Sequence, residues 1–407
     1  MSERPETETS SAPAPDEGAA EALSEVKPDG EVAPTKPAGP IRLRLFGRTD
    51  VGQVREHNED NFVVADLTRP MRGLSDGAAE QLVGPGGTLL GVCDGMGGAA
   101  AGEVASQLAV DIVYQRMTTG HTPTTHDELA GRLVQAVESA GMRIFSEAKL
   151  DRTRRGMGTT ATIAALLDDH LFLGQVGDSR GYLLRGSRLV QVTRDQSLVN
   201  QLIEAGQLTE EEAETFEHNN IILQALGTSD TVQVDLTYVE LRRGDRLMLC
   251  SDGLSGMVRN DEIREVLSTV EDSAEACRVL IERANQAGGH DNITVVVATF
   301  EGEGLAERTP ADIESLRYEK YPLPDLPPPS GPVADPPRRV KGLDEHKVGM
   351  RPRGDSSKGR SRSADERDDE RDDPIEIPTD AAPAWIVYLM VGGALACVLV
   401  AVFFLVQ

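Results

Sequence analysis

The stretch VCDGMGGAAAG, residues 92–102, places an acidic side chain at the end of an apolar run and leads it into a glycine-rich turn. Glycine lets a backbone turn tightly or approach another group closely. A nucleotide loop is one use of that freedom, but this stretch lacks the lysine and following hydroxyl of a P-loop and does not match GxGxxG. A metal, a phosphate or a plain turn remains.

Other apolar runs end in the same way. NFVVAD (61–66), TLLGVCDG (88–95), HLFLGQVGDS (170–179) and DRLMLCSDG (245–253) read as strands that stop at acidic turns, and NITVVVATF (292–300) supplies a late strand. YLLRGSRLVQV (182–192) sets two apolar arms about Gly186–Ser187 and predicts a hairpin. Helical spacing recurs at Val104, Leu108 and Ile112, at Leu129, Leu133 and Val137 with Ile144 beyond, and over 273–287 at Ala276, Leu280 and Ala284. Strands in clusters between long helices predict an α+β layered domain rather than a doubly wound sheet.

The acidic residues at these strand ends are Glu59 and Asp60 in REHNEDNFVV, then Asp94, Asp178, Asp252 and Asp291. A carboxylate at the end of a buried strand loses solvation, and several converging repel one another; cations remove both penalties. The set holds no cysteine and little histidine, which favours an oxygen-seeking ion such as magnesium or manganese over zinc. Two such ions a short distance apart can activate water and receive the oxygens of a phosphate ester, so the implied chemistry is metal-assisted phosphoester hydrolysis. Asp-Gly is also an ordinary turn former, and order along the chain does not by itself bring carboxylates together.

Composition divides the 407 residues into four parts. Residues 1–40 read as a disordered acidic extension without the basic start and apolar core of a signal peptide. A folded domain is expected over 41–301, followed by a proline-rich and charged tether over 302–383. AWIVYLMVGGALACVLVAVFFLV, 384–406, carries no charge and is long enough to cross a bilayer as one helix. The expectation is a single-pass protein of the cell membrane with its folded domain in the cytoplasm. A formal charge of −26, from 41 basic and 67 acidic residues, opposes nucleic-acid binding. The cysteines, 93, 250, 277 and 397, form no CxxC pair and fit a reduced compartment.

Taken in order, DVGQVREHNED (50–60), CDGMGGAAAGEVAS (93–106), GMGTTAT (156–162), GDSRGYLLR (177–185), LCSDGLSG (249–256) and DNITVVV (291–297) resemble the metal-dependent PPM, or type 2C, serine/threonine protein phosphatases of bacteria over about residues 44–300. The resemblance implies a four-layer α-β-β-α sandwich with two central antiparallel sheets. It implies Mn2+ or Mg2+ as cofactor, with Asp94 bridging two ions, the Gly95 carbonyl helping to hold one, and Asp252 and Asp291 holding the other. Glu59 and Asp60 would support the first ion directly or through waters, and Asp178 would join Asp252 at a weaker third. Arg55 would grip the substrate phosphate with its planar fork, and the attacking group would be metal-bound water or hydroxide. Partners would be phosphorylated proteins, including a serine/threonine kinase whose signalling the enzyme opposes near the membrane.

Three features depart from the family pattern. Met96 and Ala99 stand in or after the Asp-Gly turn where many members carry a histidine, with His57 the nearby ring. Gln196 replaces a usual histidine in the segment 193–227, which ends in the unusual HNNIILQALG; a polar insertion, 67–87, is expected to cross the surface. Two other functions stay open on the residues alone: a metal-binding but catalytically silent signalling module, and a two-metal esterase for small phosphoesters.

Overall fold

The apolar runs fold as antiparallel strands covered on both faces. The computed structural model describes residues 39–73, 80–97, 101–213, 216, 218 and 220–323. The chain begins with β1 (Arg42–Asp50), β2 (Asn61–Asp66), β3 (Met71–Arg72), β4 (Glu80–Leu82), β5 (Thr88–Cys93) and β6 (Gly95–Met96), then α1 (Ala101–Thr118) and α2 (His126–Leu150). It continues through β7 (Gly158–Thr159), β8 (Ala161–Leu167), β9 (His170–Val176), β10 (Arg180–Arg185) and β11 (Arg188–Gln191) to α3 (Leu198–Glu204) and α4 (Glu210–Ala213). There follow β12 (Asp235–Glu240), β13 (Arg246–Cys250), α5 (Asp252–Ser255), α6 (Asn260–Thr269), α7 (Ser273–Gln286), β14 (Ile293–Glu301), α8 (Pro310–Glu314) and β15 (Glu319–Lys320).

Two sheets form the centre. One runs β11-β10-β13-β14-β1-β4, the other β15-β12-β9-β8-β5-β2-β3, and β6 pairs separately with β7. Alternate side chains of each strand enter different cores. On β14, Val296 and Ala298 join the core between the sheets, whereas Val295 and Val297 pack with α6 and α7. On β8, Ala164 and Leu166 join the inter-sheet core, and Ile163 and Ala165 pack with α1 and α2. Burial on both faces explains why TLLGVC and ITVVVATF read as unbroken apolar runs rather than alternating ones. The result is the α-β-β-α sandwich.

The predicted hairpin is β10–β11, with Arg185 opposite Arg188 across a two-residue loop. Gly186 takes φ +62° at the first loop position, the conformation a II′ turn requires there. Helix α1 differs in phase from the expected stripe. Ala105, Ala109 and Val113 are fully buried with Ile112, while Val104 and Leu108 only flank the core. Small side chains let α1 sit close against α2 and the strand ends, a fit that a search for large apolar residues passes over. Helix α2 matches its expected face, and Thr125 caps it by accepting from the backbone of Glu128 at 3.2 Å. The insertion 67–87 supplies β3 and β4, which extend an edge of each sheet.

Residues 302–323, assigned from composition to the tether, belong to the folded body. Leu305 and Leu316 are buried in the inter-sheet core, and β15 pairs with β12 at the sheet edge. Tyr321 stands edge-on to Phe172 and Tyr238, with ring centroids 5.0 and 5.3 Å away, and donates a 2.6 Å hydrogen bond to Asp127. Charged residues are frequent here and mask a few well-placed apolar anchors. Among the described residues no helix is long and apolar enough to cross a membrane; the stretch 384–406 lies outside them. Replacing Tyr321 by alanine is expected to lower stability by about 1–3 kcal/mol, the sum of an aromatic contact and a hydrogen bond. Urea unfolding checks this, and an unchanged midpoint would show the segment to be merely laid on the surface.

Candidate active site

Strand register brings the acidic turns together. Asp50 pairs with Ile293, Asn61 with Cys93, Cys250 with Val295, and Arg180 with Cys250. Each of the residues just past these pairs, Asp60, Asp94, Asp178, Asp252 and Asp291, therefore leaves its strand at the same end of the sandwich. Charge interactions link them in the folded protein: Asp94 with Asp60, Asp252 and Asp178, and Asp252 with Asp291.

Backbone and hydroxyl groups hold the Asp94 turn. The Thr160 hydroxyl accepts from Asp94 N at 2.9 Å, while Thr160 N and the Thr159 hydroxyl donate to Asp94 O at 2.9 and 2.8 Å. Gly95 is buried where a Cβ would collide with the carbonyl oxygens of Glu59 and Gly102. The glycine thus answers a close approach of three chain segments. Residues 98–100, including Ala99, lie outside the described residues.

The neighbouring acids are anchored similarly. The Ser251 hydroxyl donates to Asp60 Oδ2 at 2.7 Å and accepts from Thr294 N at 3.0 Å. Asn292 threads the loop that carries Arg55: its Nδ2 donates to the carbonyls of Val51 and His57 at 3.0 and 2.9 Å, and its Oδ1 accepts from Glu59 N at 2.8 Å. Asp178 follows Gly177 in a turn joined to the Asp94 turn through Thr160 and Ser179, whose hydroxyls lie 2.8 Å apart. Thr160, Ser251 and Asn292 all lie inside quoted motifs, but their roles depend on which strands pair.

The electrostatics are those of crowded, dehydrated carboxyls. Burial raises Asp60 to about 7, with Asp252 and Asp291 adding to the shift and the Ser251 hydroxyl opposing it. Burial likewise raises Asp178 to about 7, helped by Asp252 and Asp195. Asp94 lies well above the usual carboxylate range through burial and then the charges of Asp60 and Asp252; Asp252 and Glu59 are also raised, burial being the largest cause. Oδ1 of Asp60, of Asp178 and of Asp252 is buried without a hydrogen-bond partner. Orphaned carboxylate oxygens of this kind suit a hard cation, which needs oxygen ligands and offsets their charge. Among the described residues no three His, Cys, Asp or Glu side chains are arranged as a ready-made metal cage. Carbonyl or water ligands would therefore have to complete the shell of an ion held there.

Arg55 lies at the mouth of the cluster, its side chain 52% exposed, and donates to Asp291 Oδ2 at 2.8 Å. Met96 is partly exposed in β6, opposite Gly158 of β7, and His57 is exposed. Thr160→Val keeps the side-chain shape but leaves Asp94 N and Ser179 Oγ without that hydroxyl; a loss of about 1–3 kcal/mol is expected. Chemical denaturation of the variant beside wild type measures it, and equal stability would mean that this bond contributes nothing.

A family model described as Protein phosphatase 2C matches residues 76–293. The serine/threonine phosphatase stp of Listeria monocytogenes is 36% identical over 250 residues, 61% of this chain and 93% of its own. The serine/threonine protein phosphatase PstP of Mycobacterium tuberculosis is 39% identical over 256 residues, 63% of this chain and 45% of its own. Among solved structures, the M. tuberculosis PstP phosphatase superposes with a TM-score of 0.55 at 38% identity, covering 64% of this chain and 99% of that one. A PstP catalytic domain in complex with two manganese ions gives 0.54 at 38% identity, with 64% and 99% coverage.

Proposed function

The chain belongs to the protein phosphatase 2C family and is a metal-dependent serine/threonine protein phosphatase, and from that premise we propose that the acidic end of the sandwich is its catalytic centre. In this reading Asp94, the Gly95 carbonyl, Asp252 and Asp291 would hold two divalent ions, with Asp94 serving both; Glu59 and Asp60 would support the first, and Asp178 with Asp252 would hold a third. The observation that carries the reading is the convergence of buried aspartates with three orphaned oxygens. Ions bound there supply activation of the attacking water and relief of charge at the phosphate. The manganese in the PstP catalytic domain supports Mn2+ or Mg2+ as the ion.

The remaining steps fall to the protein's own groups. Arg55 exchanges Asp291 for the substrate phosphate, presenting two parallel N–H donors to its oxygens. Asn292 keeps that loop in register with the Asp291 turn. Met96 offers a thioether and no titratable ring, so the proton for the departing serine or threonine alkoxide falls to water or to the exposed His57. Substrates are phosphoserine and phosphothreonine proteins, including kinases. The uncharged stretch 384–406 adds a membrane tether that confines the search for them to the inner surface.

Manganese-dependent hydrolysis of a phosphothreonine peptide tests the assignment. Asp94→Asn and Asp252→Asn are expected to lose more than about 100-fold in kcat, beyond the effect usual for residues that merely support a metal ligand. A chelator should abolish turnover, with recovery on adding manganese. A folded protein that binds the phosphopeptide without hydrolysing it would identify the silent module instead, and faster turnover of small phosphomonoesters than of peptides would point to the general esterase. Arg55→Ala is expected to lower kcat/KM about 10- to 100-fold, matching the loss of hydrogen bonds to a charged group. Unchanged kcat/KM would remove Arg55 from phosphate binding.

A further inference from the structure

Gln196 joins the turn that carries Asp178 to a segment far along the chain. Its Oε1 accepts from Gly177 N at 3.0 Å and from Gln224 Nε2 at 2.9 Å. Its backbone repeats both links, with N donating to Gly177 O and O accepting from Leu223 N, each at 2.8 Å. On the other side, Nε2 reaches the carbonyls of Gln175 and Gln233 at 3.5 and 3.3 Å and Asp235 Oδ2 at 3.4 Å. Gln224 then closes a ring with Gln233, donating to its carbonyl and accepting from its N–H, both at 2.7 Å.

The turn is therefore gripped from two directions. Gln175 Nε2 holds the carbonyls of Gly177 and Ser179 at 3.1 and 2.8 Å, and Thr162 holds the latter at 3.0 Å. Gln196 holds Gly177 from the side of the 222–226 segment. Asp178 lies between, with Oδ1 buried and unbonded. No bond from that oxygen fixes its aim, so its direction follows the backbone of the turn. A neutral amide suits this post because it accepts from Gly177 while donating to carbonyls; a carboxylate could not donate and would add charge beside Asp235.

We propose that Gln196 is a positioning residue for Asp178, tying the Gly177–Asp178 turn to the 222–226 segment so that the cation position shared by Asp178 and Asp252 depends on that tie. The proposal rests on the reading of Asp178 as a metal ligand and names a residue outside the ligand set that governs it.

The test uses the full chain, stripped of metal and titrated with Mn2+ by calorimetry, alongside phosphopeptide kinetics and thermal unfolding. Gln196→Ala is expected to weaken the weakest Mn2+ site about 10-fold, the size usual for a group that orients a ligand. The tighter sites and the unfolding temperature should stay near wild type, and the Mn2+ concentration for half-maximal turnover should rise with saturated kcat retained. Gln224→Ala, which leaves the Gln196–Gly177 bond in place, should weaken the same site by less and decides the matter if Gln196→Ala does not fold. Introducing Gln196→Ala into Asp178→Asn should change nothing further. An unchanged isotherm in the Gln196 and Gln224 variants, or independent losses in the double variant, would overturn the proposal while leaving the catalytic assignment intact. A wild-type chain that binds no Mn2+ would overturn both.

Discussion

Like charges are gathered where water is scarce, and the architecture near them serves to keep them there. Four aspartates with raised proton affinity lie close enough at one end of the sandwich to act on one another's charge. Repulsion and lost hydration both work against the arrangement. It persists because each acid adjoins the end of a strand whose register is fixed by a covered apolar face. A slip of one residue would turn an entire set of side chains from one core into another. The nine-residue pairing of β1 with β14 is the central case, since it lays the Arg55 loop beside Asp291.

A second buried carboxylate shows how the chain treats charge when structure alone is at stake. Asp245 is fully buried and paired with Arg185 at 2.7 Å; Arg185 also donates to the Glu240 carbonyl, and Arg242 N donates to the same carboxylate. Burial still raises Asp245, but the guanidinium opposes it. That carboxylate has a protein counterion and a full set of donors. At the acidic end Arg55 is half exposed at the rim and Arg180 is engaged by Asp195, and the Oδ1 atoms of Asp60, Asp178 and Asp252 have no donor. This contrast separates a buried ion pair that fastens strands from a group of acids left short of positive charge for a ligand to supply.

The acids themselves were readable from the sequence because they end or introduce strongly apolar runs, and the late strand, the hairpin and the long helices followed from period and turn residues. The positioning groups were not. Thr160 and Ser251 are ordinary hydroxyl residues until β5 is known to pair with β8 and β13 with β14. The same holds for Gln196, conspicuous as a departure from the family pattern yet without a role until Gly177 and Gln224 are found on either side of it. The end of the folded body was misplaced for a related reason: composition averages over a window, whereas Leu316 and Tyr321 anchor single points within a polar context.

Edge strand β15 does more than close a sheet. It lies antiparallel to β12, with Glu319 opposite Tyr238 and Lys320 opposite Thr237, and Tyr321 N then donates to Leu236 O. The chain is thus travelling toward Asp235, whose partner on β9 is Gln175, two residues before Gly177. As far as Tyr321 the polypeptide is steered along the flank of the sandwich toward its acidic end rather than the opposite one.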